Sequence, residues 1–374
     1  MHICFVSSAF GRNDSLIVYR QGKSLVEDGH KVTYALCDGK PEEMKFGIRM
    51  LSVGEKQKSL RDRILVNNKQ LRKFADSFNA DIYQISEPEL LQLALHLKRR
   101  GKKVVFNLRE YYPDYYARKF KNTIARKLTF YLCEKYFRFV AKRIDAVFSC
   151  MPEMHDYIIK VMPCKYFVDV ANFPLVNSDF SLSYEDYCKR DNVINYFGSI
   201  YTISCQETVI ETLPSFPNLK YVLAGVFYQK SYQEKLMAMP GWSQVEFING
   251  FDRKDLPNII NRSVIGNVLR DFTKTETPEG SYSIIKIFET MEAAVPIIIP
   301  RIKLYEEMIN KYHCGICVDP YSVEEVKSAI KYLLENKQEA YQMGQNGRKA
   351  VIEEFSWNSQ YKSYHQVLRQ LFAE

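Results

Sequence analysis

The sequence predicts an α/β protein of two doubly wound domains, each a parallel sheet with helices on both faces. Three observations carry this. Short apolar runs alternate with helix-length segments along the whole chain. The runs lack the polar/apolar alternation of half-exposed strands, as expected where helices cover both faces of a sheet. The pattern breaks off once, over a polar and irregular stretch at about 174–192, and then restarts. At 374 residues the chain is too long for one ordinary core and suits two domains of roughly 180 residues each.

In the first half the strand-like runs are 2–7, 31–37, 81–86, 102–108, 145–150 and 165–171, with helix-length stretches such as 16–28 and 90–100 between them. Gly29 and Gly101 each stand just past a helix end, where a left-handed residue leads into the next strand. After the break, strands are expected at 193–198, 219–225, 245–248, 264–269 and 295–300, with helices from about 323 and 339 and a last one from Trp357 to the C-terminus. The expected division is 1–175 for the first domain, 176–192 for a linker and 193–356 for the second domain. Residues 357–374 form a helix returning towards the first. Two such domains facing one another place a cleft at the carboxyl ends of both sheets, where ligands bind.

Composition narrows the class. With 46% hydrophobic and 26% charged residues the chain is expected to fold as a soluble protein. No apolar run approaches the ~20 residues of a membrane span. The opening MHICFVSSAF reads as a buried strand and not as a leader peptide. Nine scattered cysteines suit a reducing compartment, and the lone CxxC, Cys314 to Cys317, reads as two thiols in a buried strand and not a metal site. Charge is uneven: residues 1–180 hold 31 Lys and Arg against 20 Asp and Glu, a balance of +11, and the remainder stands at −3. A basic half implies an anionic partner. Its most basic segment, 118–143, has nine Lys and Arg, one acid (Glu134), and Phe120, Phe130, Tyr131, Tyr136, Phe137 and Phe139 at helical spacing. Such a helix suits an anionic membrane surface, or a core-packed helix with a solvated basic face. No motif supports nucleic-acid binding.

The most informative segment is 277–300, TPEGSYSIIKIFETMEAAVPIIIP. Pro278 and Gly280 break the chain, Ser281 or Ser283 is positioned to cap, and an amphipathic helix is expected to about Ala294. A helix N-terminus suits a phosphate. Lys286 adds a charge one turn in, and Glu289, three residues on, shares its face and can receive ribose hydroxyls. Spacing alone favours a surface ion pair on an ordinary helix.

KIFETMEAAVPIIIP closely resembles the nucleotide-sugar segment of retaining GT-B glycosyltransferases, in the K-x-x-E form common among bacterial capsule and O-antigen enzymes. INYFGSI, YVLAG, VEFINGFDRKDLPNII, CGICVDPYSVEEV and NGRKAVIEEFSW resemble the following units of that family in order, and MHICFVSS, EDGHKVTYALC and KKVVFNLREYYPDYY resemble its first domain. The resemblance implies a GT-B fold, two Rossmann-like domains facing a central cleft, the first binding acceptor and the second nucleotide-sugar. It implies transfer with retention from a nucleotide diphosphate sugar, UDP-linked by family frequency, to a glycan or lipid-linked glycan in polysaccharide biosynthesis. No cofactor or metal is obligatory in that family, and the sequence has no DxD carboxylate pair. A cytoplasmic location follows, peripheral on the inner face of the plasma membrane.

The donor site implied comprises Gly11, Gly198, Ser199, Arg270, Ser281, Tyr282, Ser283, Ile285, Lys286 and Glu289. The catalytic candidates are Glu110, to polarise the acceptor hydroxyl, with Arg109 and Glu279. Gly11 and Arg12 lie in the loop after the first strand, and Arg109, Glu110 and Asp114 follow the strand ending at Leu108, both at sheet ends that face the expected cleft. His30 reads as a turn residue and His313 as a residue within reach of the cleft. The chain departs from the family pattern at three places. Ser281 stands where many members have a glutamate, with Glu279 two residues earlier. Ser199 follows Gly198 and 201–207 holds no basic residue, which leaves Arg270, Arg253 or Lys254 as candidates for the phosphate charge. Arg109 stands where a histidine is usual. Two other readings stay open: an epimerase or phosphorylase-like chemistry on the same fold, and a degenerate member acting as a binding partner.

Overall fold

The structure, a computed structural model, describes residues 1–275 and 277–374. The chain divides into two units, Met1–Asn172 with Trp357–Glu374, and Phe173–Ser356.

In the first unit β1 (His2–Ser7), β2 (Lys31–Cys37), β3 (Glu43–Lys45), β4 (Ile48–Gly54), β5 (Ile82–Ile85), β6 (Lys103–Leu108), β7 (Ala146–Ser149) and β8 (Tyr166–Asp169) form one sheet in the order β3-β4-β2-β1-β5-β6-β7-β8. All neighbours are parallel except β3 and β4, a hairpin that the apolar pattern did not announce. Leaving β1, the chain adds β2 on one side and later β5 on the other, so the order reverses between β1 and β5. Gly29 and Gly101 take the left-handed conformation expected of them, with φ of 78° and 75°. The helix expected over 16–28 is in two parts. A wide π-helical stretch, Ile17–Gly22, precedes a short α-helix, Lys23–Glu27. Gly22 is held close at this junction: a Cβ there would come within 2.5 Å of Ile48 Cδ1.

The C-terminal helix Trp357–Ala373 completes this unit. Trp357, Tyr364, Leu368 and Leu371 are buried among Ile3, Phe5, Tyr34 and Val105. The indole N–H of Trp357 donates to Ser24 Oγ at 2.8 Å and the Tyr364 hydroxyl to Gln84 Oε1 at 3.0 Å. Each polar atom that the aromatic rings carry into the core is thereby bonded.

The second unit has six parallel strands, β9 (Val193–Phe197), β10 (Lys220–Gly225), β11 (Val245–Asn249), β12 (Ile265–Asn267), β13 (Ile297–Pro300) and β14 (Gly315–Val318), in the order β11-β10-β9-β12-β13-β14. This is the dinucleotide-fold order, with its reversal between β9 and β12. The irregular stretch 176–192 is built into this unit. Ser183 caps the helix Tyr184–Cys188, Tyr187 is buried in the core, and Arg348 bonds the carbonyls of Asn177 and Phe180 at 2.6 and 3.2 Å. Cys314 and Cys317 flank and enter β14, and burial raises their thiols to about 12 and about 11. Among the described residues the nine cysteines are free thiols, and no helix is long and apolar enough to cross a membrane.

Candidate functional site

Ligands of doubly wound sheets sit outside the carboxyl ends of the strands where the order reverses. In the second unit that point lies between β9 and β12, and four predicted residues, Gly198, Ser199, Lys286 and Arg270, stand at these strand ends. Gly198 directly follows β9 with φ 117°, and its neighbour Gly225 ends β10 so close that a Cβ would lie 1.8 Å from Gly198 O. Only glycines let the two strand ends turn against each other. The Lys286 ammonium reaches back over the Tyr196 ring, 3.8 Å from its centroid, to within 3.3 Å of where a Gly198 Cβ would stand. The Tyr196 hydroxyl donates to Ser199 O at 2.8 Å, which fixes the turn after Gly198 and leaves the Ser199 side chain exposed. Arg270 follows β12, with its guanidinium 5.7 Å from the Phe272 ring and its charge felt at Tyr201. Its buried Nε has no hydrogen-bond partner among the described residues.

Lys286 and Glu289 stand on the helix Ile285–Glu292. Its N-cap is Ile284, and no side chain caps it, contrary to the expectation for Ser281 or Ser283. The reason is local. Ser281 is buried, its carbonyl and N–H both bonded to the Tyr305 hydroxyl at 2.8 and 3.3 Å, and its Oγ accepts the Ser283 N–H at 3.0 Å. Gly280, at φ 99°, sits beneath Ile302 and Leu304. The Tyr282 ring turns into an aromatic group with Phe288 and Phe355. The Ile285 N–H is turned to Ser283 O at 3.0 Å, so it is engaged within the chain. Ser281, Tyr282 and Ile285 thus shape the approach to the helix, and Lys286 presents the charge. Glu279 is exposed in the preceding turn.

Glu289 is 7% exposed and forms an ion pair with Arg253 Nη2 from the turn after β11. The departure from the family pattern after Gly198 placed Arg253 only among the candidate donors of phosphate charge; its pairing with a residue 36 positions away has no local signal.

The first unit's reversal point, between β1 and β5, is arranged differently from what the sequence suggested. Glu87 follows β5 and is buried; its Oε1 accepts the Ser7 hydroxyl and the N–H groups of Ser8, Ala9 and Phe10, the last three at 3.1, 2.9 and 3.2 Å. Three consecutive N–H groups on one oxygen form an anion nest, here filled by the chain's own carboxylate. Burial raises that carboxyl to about 7, against the pull of the donors. Gly11 is exposed beyond the nest with open space where a Cβ would stand, so nothing in its surroundings requires glycine. Arg12 turns the other way, buried against Asp38 at 2.7 Å, Glu43 at 3.0 Å and the carbonyls of Lys40 and Pro41.

Arg109, at the end of β6, pairs with both carboxylate oxygens of Asp14 at 3.1 and 3.3 Å and lies 4.5 Å from the centroid of the Phe10 ring. Asp14 in turn accepts the N–H groups of Leu16 and Ile17. Arg109 therefore orders the loop after β1. Glu110 beside it is exposed, and Asp114 pairs with Arg118 at 2.6 Å. His313 is exposed at φ 49°, ending the helix Lys303–Tyr312, and His30 faces the C-terminal helix. Neither Asp14 nor Glu87 was among the residues singled out from sequence; an acid directly after the short strand β5, as in SEPEL, was the available signal.

Two family models match. Residues 16–168 match Glycosyltransferase Family 4, and residues 188–350 match Glycosyl transferases group 1. No protein with curated annotation matches the sequence. Among solved structures the chain resembles a sucrose-phosphate synthase from Thermosynechococcus elongatus, with TM-score 0.72, 16% identity and coverage of 100% of this chain and 99% of that one. It resembles HepE from Anabaena in complex with UDP and glucose, with TM-score 0.71, 13% identity and coverage of 99% and 100%. It also resembles WaaG, a glycosyltransferase involved in lipopolysaccharide biosynthesis, with TM-score 0.68, 14% identity and coverage of 98% and 99%. Identities this low speak for the fold alone, which is GT-B.

Proposed function

The chain belongs to the group 1 glycosyltransferases, and we propose that it moves a sugar from a nucleotide diphosphate, UDP by preference, to a hydroxyl of a glycan or lipid-linked glycan, with retention. The observation that carries the donor assignment is the Lys286 ammonium beside Gly198 at the reversal point of the second sheet. In the reaction the bond from anomeric carbon to diphosphate breaks, negative charge grows on the departing phosphate, and the acceptor oxygen bonds the carbon as its proton passes to that phosphate. A cation fixed there in advance stabilises that charge more than it does the ground state. Lys286 takes this role, with Arg270 as second cation, and Glu289 receives the ribose hydroxyls. The UDP and glucose bound in the Anabaena structure favour a UDP-sugar. In the first unit Glu110 is the group assigned to the acceptor hydroxyl. Arg109 supports it indirectly, by holding Asp14 and the loop after β1.

A lipid-linked acceptor places the enzyme at a membrane surface. Support comes from the helix Thr123–Ala141, which leaves Ile124, Leu128, Tyr131 and Leu132 more than half exposed between lysines and arginines.

A thermal-shift screen with UDP, GDP and ADP and their sugars tests the donor site. One of them is expected to raise Tm in the wild type, and Lys286→Met to weaken binding of the diphosphate about tenfold or more while binding of the nucleoside changes little. A chain stabilised by none of these compounds would end the donor-site reading. Transfer unaffected by Glu110→Gln would remove Glu110 from the acceptor side.

A further inference from the structure

The Arg253–Glu289 pair bears on how the donor site recognises its ligand. Glu289 is nearly buried, and a buried carboxylate is strongly unfavourable unless a charge or hydrogen-bond donors compensate it. Arg253 supplies such a charge, from the turn that follows β11. Its side chain is 36% exposed, so its outer side is open to solvent and it can leave without disturbing the core. Glu289 stands one helical turn from Lys286, so the two side chains leave neighbouring points on one face, about 5–6 Å apart at Cβ. The guanidinium, the more exposed partner, occupies Glu289 Oε1, so a ligand hydroxyl bound to that oxygen must displace it. A ligand that also carries a diphosphate towards Lys286 offers that guanidinium a new anionic partner close by.

We infer that Arg253 is a specificity-determining residue of the donor site that exchanges partners: it caps Glu289 in the free enzyme and passes to the diphosphate when the nucleotide's ribose takes its place. The inference rests on the proposed donor site, with Glu289 as the ribose carboxylate. Its consequence is selective. A nucleoside that displaces Arg253 leaves the guanidinium to water alone, whereas a nucleoside diphosphate gives it an anionic partner. Arg253 therefore widens the gap between the two, in addition to the attraction that Lys286 and Arg270 supply.

Calorimetric titration of the full-length protein with uridine, UDP and 2′,3′-dideoxy-UDP separates the possibilities, with the guanosine or adenosine series used instead if the base proves different. For Arg253→Ala, uridine is expected to bind about threefold or more tighter and UDP to bind weaker, so the ratio of the two Kd values falls about tenfold. Arg253→Gln is expected to behave likewise and serves if the alanine variant is unstable. Uridine binding that is unchanged or weaker in both variants overturns the exchange. The dideoxy arm tests the underlying reading separately. If loss of the hydroxyls weakens binding to the wild type but not to Glu289→Gln, Glu289 is the ribose carboxylate whatever Arg253 does. If the dideoxy nucleotide binds the wild type as tightly as UDP, the assignment of Glu289 fails and the inference fails with it, as it does if no nucleotide binds.

Discussion

Beneath the loop after β1 the Glu87 carboxylate meets three backbone N–H groups and a hydroxyl on one oxygen, while its buried Oε2 has no hydrogen-bond partner among the described residues. Burial, with a smaller contribution from Glu89, outweighs those donors and raises the carboxyl from 4.5 to about 7. The folded state then binds more protons than the unfolded one between those values, so this group's contribution to stability falls as pH rises from about 4.5 to about 7 and stays low above that. The full shift corresponds to roughly 3 kcal/mol. Glutamine offers the nest the same carbonyl-type acceptor without the charge. Glu87→Gln is therefore expected to have nearly wild-type Tm near pH 5 and a Tm several degrees higher near pH 8. Parallel melting curves for the two proteins across that range would show the carboxyl to be ordinary. The same residue marks where sequence reading stops. Gly198 and the Lys286–Glu289 spacing could be read because strand ends and helix faces are local properties. The partners that decide what those residues do, Arg253 for Glu289, Asp14 for Arg109 and the β1 loop for Glu87, lie 36, 95 and about 80 positions away. Long-range pairing of polar groups leaves no periodic trace.

Strands buried on both faces were legible because they read as unbroken apolar runs. The hairpin of β3 and β4 was not, for two reasons. Glu43 and Met44 are exposed at the sheet edge, so β3 carries no apolar run. The turn uses Phe46 and Gly47 at φ of 52° and 75°, where Asn-Gly or Asp-Gly is the recognisable signal. Helix 357–373 shows a different kind of contact. His365 on that helix shares a hydrogen bond with His30, Nε2 to Nε2 at 2.8 Å, while its Nδ1 lies 3.3 Å from Asp28. Tyr361 stacks on His365 and donates to Asp28. One imidazole nitrogen must donate and the other accept, so protonating both sets two N–H groups against each other. Burial lowers both histidines; the N-terminal amine adds to this at His30 and Arg369 at both, and Asp28 opposes it at both. Groups whose folded pKa lies below the unfolded value lose stability as pH falls through about 6.5. This is opposite in sign to Glu87, so a global melting curve mixes the two. Hydrogen exchange resolves the helix itself. Corrected for intrinsic rates, amides in 357–373 are expected to exchange about tenfold faster at pH 5.5 than at pH 7, and His365→Gln to abolish that difference. Equal acceleration in the variant would place the acid sensitivity elsewhere.

Across the molecule the charge is divided, +11 over residues 1–180 and −3 over the rest, and the first unit gathers its positive charge around one incompletely covered helix. Thr123–Ala141 buries Phe137, Val140 and Ala141, and its acid, Glu134, is taken up by the hydroxyls of Tyr111 and Tyr157. The opposite side leaves Ile124 78% exposed, with Leu128, Tyr131, Leu132 and Phe139 following at helical intervals. An apolar stripe of this kind among cations is costly in water and favourable at an anionic interface. Each Lys or Arg near such a surface contributes about 1 kcal/mol, and the buried side chains add to it. The attraction is electrostatic in range and must weaken with salt. In flotation assays the wild type is expected to rise with vesicles containing phosphatidylserine, to stay down with phosphatidylcholine alone, and to be released as ionic strength increases. Replacing Lys127, Lys135, Arg138 and Lys142 together by glutamate is expected to abolish flotation while leaving nucleotide binding by the second unit intact, since none of the four lies in that unit. Replacing Ile124 and Leu128 by serine should weaken flotation with the charge unchanged. If the glutamate variant floats as the wild type does, the helix is a solvated surface and the acceptor has to be sought in solution.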